Sequence, residues 1–253
     1  SFSPENIAIL GASGAIGSAF TKRLSEKYPN ASIFAFSRKG AAYSIDYSSE
    51  ASLAGAAELA TKDRPLDLVI VANGILHDED LMPEKSLHNL SAEKFQRIFE
   101  VNTITPALIA KYFLPKLNKK KPSIFAALSA RIGSISDNQL GGWYAYRASK
   151  AALNMIIKNA AIEVGRVNKK ATVVGLHPGT VDSNLSKPFQ GNVADDKLFT
   201  PIYSAEKIIA PTYISCIIFY EFPNFLSFKP SKFRNSFISL NFSLILKFNI
   251  DWM

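Results

Sequence analysis

For most of its length this sequence predicts an α/β fold built on a doubly wound parallel sheet, and three observations carry that prediction. Short apolar runs of strand length alternate with longer helix-patterned segments as far as about residue 205. Several of these runs are continuously apolar rather than alternating, as strands covered on both faces are. The first run ends in a glycine-rich turn that opens directly into a helix pattern.

Taken in order, residues 7–10 read as the first strand and residues 18–27 as the first helix. Residues 32–36 form a second strand and residues 42–45 a weaker third. The alanine-rich stretch 51–61 is helical in composition, and 66–71 is apolar throughout, as a central strand is. Residues 75–90 form a polar loop region. Ser91 is placed to cap a long helix reaching about residue 118, bent by Pro106. A strand over 123–128, a helix over 144–167 and a strand over 171–176 follow, the last stopping at Pro178-Gly179. Such an order implies right-handed crossovers with helices on both faces. No linker or internal repeat divides it, so residues 1–207 are expected to form one domain.

The stretch 208–253 differs in kind. It holds eight of the eighteen Phe and eight Ile, with no Gly, no Val and a single Ala, Ala210. It reads either as a poorly patterned closing segment or as a translated non-coding or frame-shifted tail.

Composition narrows the function classes. Twenty-nine basic against twenty-one acidic residues give a net charge of +8, which favours anionic ligands. The one dense basic run, Lys119-Lys120-Lys121, lies between a helix and a strand, with no stacking or helix-turn-helix motif beside it. Nucleic-acid binding is therefore not expected. The single cysteine, Cys216, excludes an internal disulfide framework and a cysteine-based zinc cluster. His77 with Asp78, Glu79 and Asp80 is contiguous loop charge, so no metal is expected. The longest apolar stretch, 208–220, is interrupted by Pro211, Thr212 and Ser215 and is too short to span a bilayer. With no signal segment opening the chain, a cytoplasmic protein without membrane contact is the expectation.

Three stretches carry chemistry. In Gly11-Ala-Ser13-Gly14-Ala15-Ile16-Gly17, residues without bulk allow a helix N-terminus to approach a diphosphate, where free N–H groups meet negative charge. This fits a Rossmann-like unit, although the spacing is not G-x-G-x-x-G. After the second strand comes Ser37-Arg38-Lys39, with no acidic residue to hold a ribose 2′-hydroxyl. An arginine there accommodates a 2′-phosphate, so NADP is expected over NAD. In Tyr146-Arg-Ala-Ser-Lys150, the spacing of four stacks phenol and ammonium on one helix face. A neighbouring cation favours the phenolate and should lower the phenol's pKa from about 10.

Together these residues resemble a short-chain dehydrogenase/reductase. The stretch Gly141-Gly-Trp-Tyr-Ala-Tyr146-Arg-Ala-Ser-Lys150-Ala-Ala-Leu-Asn is similar to the C-factor/sniffer-like carbonyl reductase branch. The resemblance spans roughly residues 5–205. It takes in the glycine turn, Asp46, Ala72-Asn73-Gly74, Asn102 in Val-Asn-Thr, Ser129, the Tyr146/Lys150 pair and Pro178-Gly179. It implies that Tyr146 exchanges a proton with the substrate oxygen while Lys150 tunes it and holds the nicotinamide ribose. Asn102 would distort its helix and hold a relay water, and a serine would polarise the carbonyl. Asp46 would meet the adenine, and Ala72, Asn73 and Gly74 would line the adenine ribose. Pro178, Gly179, Thr180, Val181 and Ser183 would contact the nicotinamide carboxamide. Family members commonly pair as homodimers or homotetramers through the helix that carries the tyrosine.

Departures accompany the resemblance. The middle glycine of the turn is Ala15, and the family's Asn-Ala-Gly is reordered at 72–74. The family's Ser-Ser-x-x-Gly reads Ser129-Ala130-Arg131-Ile132-Gly133, which puts Ala130 at the serine's register. Ser129 is the preferred catalytic serine and Ser134 the other candidate. The leading expectation is an NADP-dependent oxidoreductase interconverting a small-molecule carbonyl and alcohol. An NADP(H)-binding regulatory or signalling protein with little turnover is the alternative. Trp143 and Tyr144 either line the substrate mouth or pack on the next helix.

Overall fold

Apolar runs too short for helices leave their backbone polar groups to be satisfied by neighbouring strands. In the computed structural model, which describes residues 2–210, they do so in one six-stranded parallel sheet. Strand β1 (Asn6–Leu10) leads through α1 (Ala15–Lys27) to β2 (Ser32–Ser37) and the two-residue β3 (Tyr43–Ser44). Then come α2 (Glu50–Ala60), β4 (Leu68–Val71), α3 (Ala92–Phe99), α4 (Thr105–Phe113) and β5 (Ser123–Leu128). Helix α5 (Tyr144–Val167) and β6 (Ala171–Leu176) complete the sheet, whose order is β3-β2-β1-β4-β5-β6. A parallel ribbon of β7 (Thr180–Val181) and β8 (Leu198–Phe199) precedes α6 (Pro201–Ile209).

Alternating side chains divide the core in two. Leu10, Phe36, Val69, Phe125 and Ala127 face α2, α4 and α5 through Leu53, Ile109, Phe113 and Leu153. Ile7, Ile9, Ile70, Ala126 and Leu128 face α1 and α6 through Phe20, Leu24, Ala205 and Ile208. The strand order reverses between β1 and β4, so the crevice beyond their carboxyl ends is where this architecture holds ligands.

Three expectations need correction. The helix expected over 91–118 is not continuous: α3 passes through a π turn, Glu100–Ile104, into α4, and a 3-10 turn, Leu114–Lys116, ends it. The interruption precedes Pro106 instead of lying at it. Pro106 has no N–H and would collide with a carbonyl one turn back. The π turn widens the register there, Thr105 N–H bonding Glu100 O five residues back, and Pro106 then sits in the first turn of α4. Helix α1 begins at Ala15 rather than residue 18, because Gly14 already serves as its N-cap. The central strand is shorter than 66–71, with Leu66 making only an isolated bridge to Leu117. The division at residue 208 falls inside α6, and the two readings of the tail concern residues beyond 210, outside the described residues. Among the described residues no helix is long and apolar enough to cross a membrane.

Candidate active site

Gly11 follows β1 at φ +81°, and a Cβ there would lie 2.9 Å from the Ala72 carbonyl carbon, so the turn lies directly on the segment that follows β4. Gly17 is tighter still, since its Cβ would stand 2.1 Å from Gly11 O. Between them, Ser13 is exposed and the first turn of α1 opens at Ala15 and Ile16 with Gly14 in front. Arg38 is exposed on the turn after β2. Ser37 is buried and donates its hydroxyl to Lys39 O at 2.5 Å. That turn approaches the glycine loop, because a Cβ on Gly40 would lie 3.8 Å from Ser13 Cβ.

Asp46 is exposed, and one carboxylate oxygen accepts both the amide (2.9 Å) and the hydroxyl (2.6 Å) of Ser48, holding its pKa below the ordinary value. Sequence reasoning missed its neighbour. The Tyr47 hydroxyl accepts Gly11 N–H at 2.7 Å and donates to Phe36 O at 3.3 Å, with the Asn73 side chain also in hydrogen-bond contact. One phenol thus ties β1, β2 and the strand-four segment at the floor of the crevice. Asn73 Oδ1 is buried without a partner among the described residues.

The π turn brings Asn102, which is fully buried, against the backbone beyond β4. Its Oδ1 accepts Ile75 N–H and its Nδ2 donates to Ile75 O, both at 2.8 Å, while Nδ2 also reaches Ser149 Oγ at 3.3 Å. Thr103 Oγ1 adds a bond to Ser149 O at 2.9 Å. Gly74 leaves room between Asn102 Oδ1 and Lys150 Nζ, which its Cβ would approach to 3.7 and 3.9 Å.

Helix α5 carries Tyr146 and Lys150 one turn apart, with Lys150 Nζ 5.9 Å from the Tyr146 ring centre and donating to Leu128 O at 3.0 Å. Gly133 permits this approach of helix to strand end, since a Cβ there would meet Lys150 backbone at 2.8 Å. The expected lowering of the phenol's pKa does not occur in this arrangement: burial pushes Tyr146 up to about 12 and Lys150 down to about 8. The cation faces a carbonyl rather than the phenolic oxygen, and desolvation outweighs its pull.

Ser129 continues the β5 alternation onto the face toward α5, but its hydroxyl donates to Asn154 Oδ1 at 2.5 Å, one turn beyond Lys150. Ser134 Oγ lies 3.4 Å from Ser136 Oγ and accepts Asp137 N–H at 3.4 Å. Neither serine is hydrogen-bonded to Tyr146 among the described residues.

The segment after β6 turns at Gly179, with φ +74°. Pro178 O accepts the Ser204 hydroxyl at 2.7 Å, Thr180 and Val181 pair with Leu198 and Phe199, and Ser183 Oγ donates to Val181 O at 3.2 Å. Beyond it Phe189 packs against Trp143 at 4.8 Å and His77 at 5.6 Å between ring centres, and Trp143 lies edge-on to Tyr146 at 6.2 Å. His77 Nε2 pairs with Asn184 O at 2.8 Å, which joins the two loops that wall the site. Trp143 thus packs between Phe189 and Tyr146. His177 is held neutral, its pKa pushed down to about 4 by burial and by Arg131. Among the described residues no group of three His, Cys, Asp or Glu side chains could hold a metal.

Residues 14–208 match the family model described as Enoyl-(Acyl carrier protein) reductase. The chain is 31% identical over 166 residues to 1-hydroxy-2-glutathionyl-2-methyl-3-butene dehydrogenase of Rhodococcus sp. (strain AD45), covering 65% of this chain and 68% of that one. It is 37% identical over 92 residues to the C-signal of Myxococcus xanthus, spanning 36% of this chain and only 54% of that protein. In structure it resembles the NADPH-bound carbonyl reductase from chicken fatty liver. The TM-score is 0.66 at 22% identity, covering 84% of this chain and 90% of that one.

Proposed function

The chain belongs to the short-chain dehydrogenase/reductase family of oxidoreductases, and from that premise we propose that it is an NADP-dependent reductase interconverting a small-molecule carbonyl and alcohol. One observation carries the reading: Tyr146 and Lys150 stand one turn apart on α5 at the mouth of the crevice, with Asn102 bonded into the adjoining backbone.

The residues present fit a dinucleotide. The first amides of α1 follow the glycine turn with no side-chain cap, Asn73 Oδ1 is an orphaned acceptor beside it, and no acidic side chain occupies the turn after β2. Ala15 and Ile16 would hold the diphosphate with backbone N–H groups and the helix dipole, the Gly14 N–H being already bonded to Gly11 O at 3.1 Å. Arg38 would hold a 2′-phosphate and Asp46, through its second carboxylate oxygen, the adenine. The segment 178–183 would line the nicotinamide end. When bound, the reduced cofactor supplies the hydride.

The chain supplies position and the proton. With its pKa at about 12, Tyr146 stays a neutral phenol at pH 7, the form that donates a proton to an oxygen gaining charge. Lys150, 5.9 Å from the phenol's ring centre and bonded to Leu128 O, is at a pKa of about 8 still mostly ammonium at neutral pH, favouring the phenolate left behind. Asn102 fixes Ile75, and with it the loop that forms one wall. Replacing Tyr146 with Phe should lower kcat/KM on a responsive carbonyl by roughly 100- to 10,000-fold. NADPH affinity, read by fluorescence titration, should remain. Full turnover by Tyr146→Phe would refute the reading.

A second reading has its own observation. The Ser129 hydroxyl donates to Asn154 Oδ1, Ala130 stands at the neighbouring position, and among the described residues neither Ser129 nor Ser134 is hydrogen-bonded to Tyr146. An NADP(H)-binding regulatory protein would then bind NADPH yet turn over none of a panel of aldehydes, ketones and quinones. Assembly as a homodimer or homotetramer through α5 belongs to either reading; Met155 and Ile162 are exposed along that helix.

A further inference from the structure

A buried carboxylate outside the Tyr146–Lys150 pair touches the same helix. Glu84, in the loop between β4 and α3, is 3% exposed. Helix α5 has no cap of its own: Trp143 at the N-cap makes no side-chain bond, and it stands in the left-handed region at φ +51° after Gly141 and Gly142 at +64° and +63°. A left-handed tryptophan costs about 1–2 kcal/mol, so the conformation must be imposed from outside.

Glu84 imposes it twice. Its backbone carbonyl accepts Trp143 N–H at 2.6 Å, and its carboxylate Oε2 accepts Ala145 N–H at 3.2 Å. These N–H groups belong to the helix end that has no intrahelical acceptor for them. From the other side, Arg147 Nε donates to Gly141 O at 3.2 Å and Gly142 O at 3.1 Å. The left-handed turn and the first turn of α5 are thus held between Glu84, 61 residues before Ala145, and a guanidinium on the helix. Ala145 and Glu84 line one small cleft with Tyr146.

We propose that Glu84 is a positioning residue for Tyr146: it substitutes for the missing N-cap of α5 and fixes the first turn on which the phenol stands. The inference rests on the proton-donor role given to Tyr146 above, and its test includes a readout that does not need turnover. Backbone amide exchange is followed in the full chain for the wild type, Glu84→Ala and Glu84→Gln. In Glu84→Ala, the Ala145 amide should exchange at least about 10-fold faster while amides near Leu153 keep their protection. In Glu84→Gln, whose side-chain oxygen still accepts, Ala145 protection should return. On a responsive carbonyl, Glu84→Ala should lose roughly 10- to 100-fold in kcat with KM for NADPH unchanged, as a misplacement of about 1 Å does, and Glu84→Gln should recover most of it. Unchanged Ala145 exchange in Glu84→Ala overturns the anchor. So does a Gln variant as impaired as the Ala variant, or a loss confined to KM. If the wild type turns over no substrate, the reductase reading fails by itself, and the exchange result still decides whether Glu84 holds the turn.

Discussion

Replacing Lys150 with Met should remove a pH-dependent stability cost from the protein while abolishing its chemistry. Lys150 is 3% exposed, and burial lowers its pKa from the ordinary 10.5 to about 8. A lysine depressed in the folded state binds fewer protons there than in the unfolded chain, so stability rises with pH between the two values. Below pH 8 both states carry the ammonium and the whole penalty applies, about 3 kcal/mol for a pKa moved from 10.5 to about 8. At pH 9.5 the unfolded lysine is still mostly charged while the folded one is not, and the remaining penalty is about 1 kcal/mol. Methionine, of similar length, carries none at any pH, but it forfeits the bond to Leu128 O. Leaving that carbonyl unpaired costs about 1–3 kcal/mol. The absolute gain at pH 7 is therefore small or nil. The lost bond, however, is independent of pH and cancels in the difference. Wild type should gain about 2 kcal/mol more than Lys150→Met between pH 7 and 9.5, read by urea denaturation at both values. Working below pH 10 avoids Tyr146, whose raised pKa makes the folded phenol keep a proton that the unfolded one loses, so stability falls above that pH. Parallel pH profiles for the two proteins would refute the claim that Lys150 is held against a desolvation cost.

Three more outcomes follow from the crevice. Gly17→Ala sets a methyl 2.1 Å from Gly11 O, a backbone atom that cannot step aside, so fluorescence titration should show at least about 10-fold weaker NADPH binding and thermal denaturation a lower Tm. Arg38→Ala should reduce the preference for NADPH over NADH by roughly 10- to 100-fold in kcat/KM, the worth of a charge-assisted pair to phosphate; an unchanged ratio would remove Arg38 from the 2′-phosphate site. Asn102→Ala leaves the N–H and C=O of Ile75 without their 2.8 Å partners and should cost about 2–4 kcal/mol in urea denaturation, with activity falling further than stability explains.

The periodicity of the chain carried the sheet. Runs such as Leu-Val-Ile-Val at 68–71 and Ser-Ile-Phe-Ala-Ala-Leu at 123–128 are too short and too apolar for any element but a strand covered on both faces. Helix boundaries were less legible where two local rules competed. Pro106 announces a break, yet the backbone absorbs it in a π turn two residues earlier, and nothing local distinguishes that from a kink. The glycine turn and the Tyr146–Lys150 spacing were legible because each is short-range: a tight turn and one helical repeat fix which groups are neighbours.

Three features of the site were not legible, and each depends on segments far apart in sequence. Tyr47 looked like one more aromatic residue until β1, β2 and the strand-four segment met around its hydroxyl. Glu84 lies in the stretch 75–90 expected to be a polar loop, and only docking of that loop on α5 buried it against Ala145. Ser129 stood in the expected stretch of sequence, but the partner its hydroxyl takes, Asn154, is a matter of how the helix lies on the strand.

By itself the sequence determined the order of strands and helices, the glycine-rich turn into α1 and the presence of a phenol and an amine one helical repeat apart. These follow from local sterics and from spacing along the chain. The tertiary structure alone decided the protonation of that pair, because desolvation depends on what surrounds a group and not on what precedes it. Burial leaves Tyr146 a neutral acid and Lys150 a reluctant cation, reversing the shift that their proximity in sequence suggested.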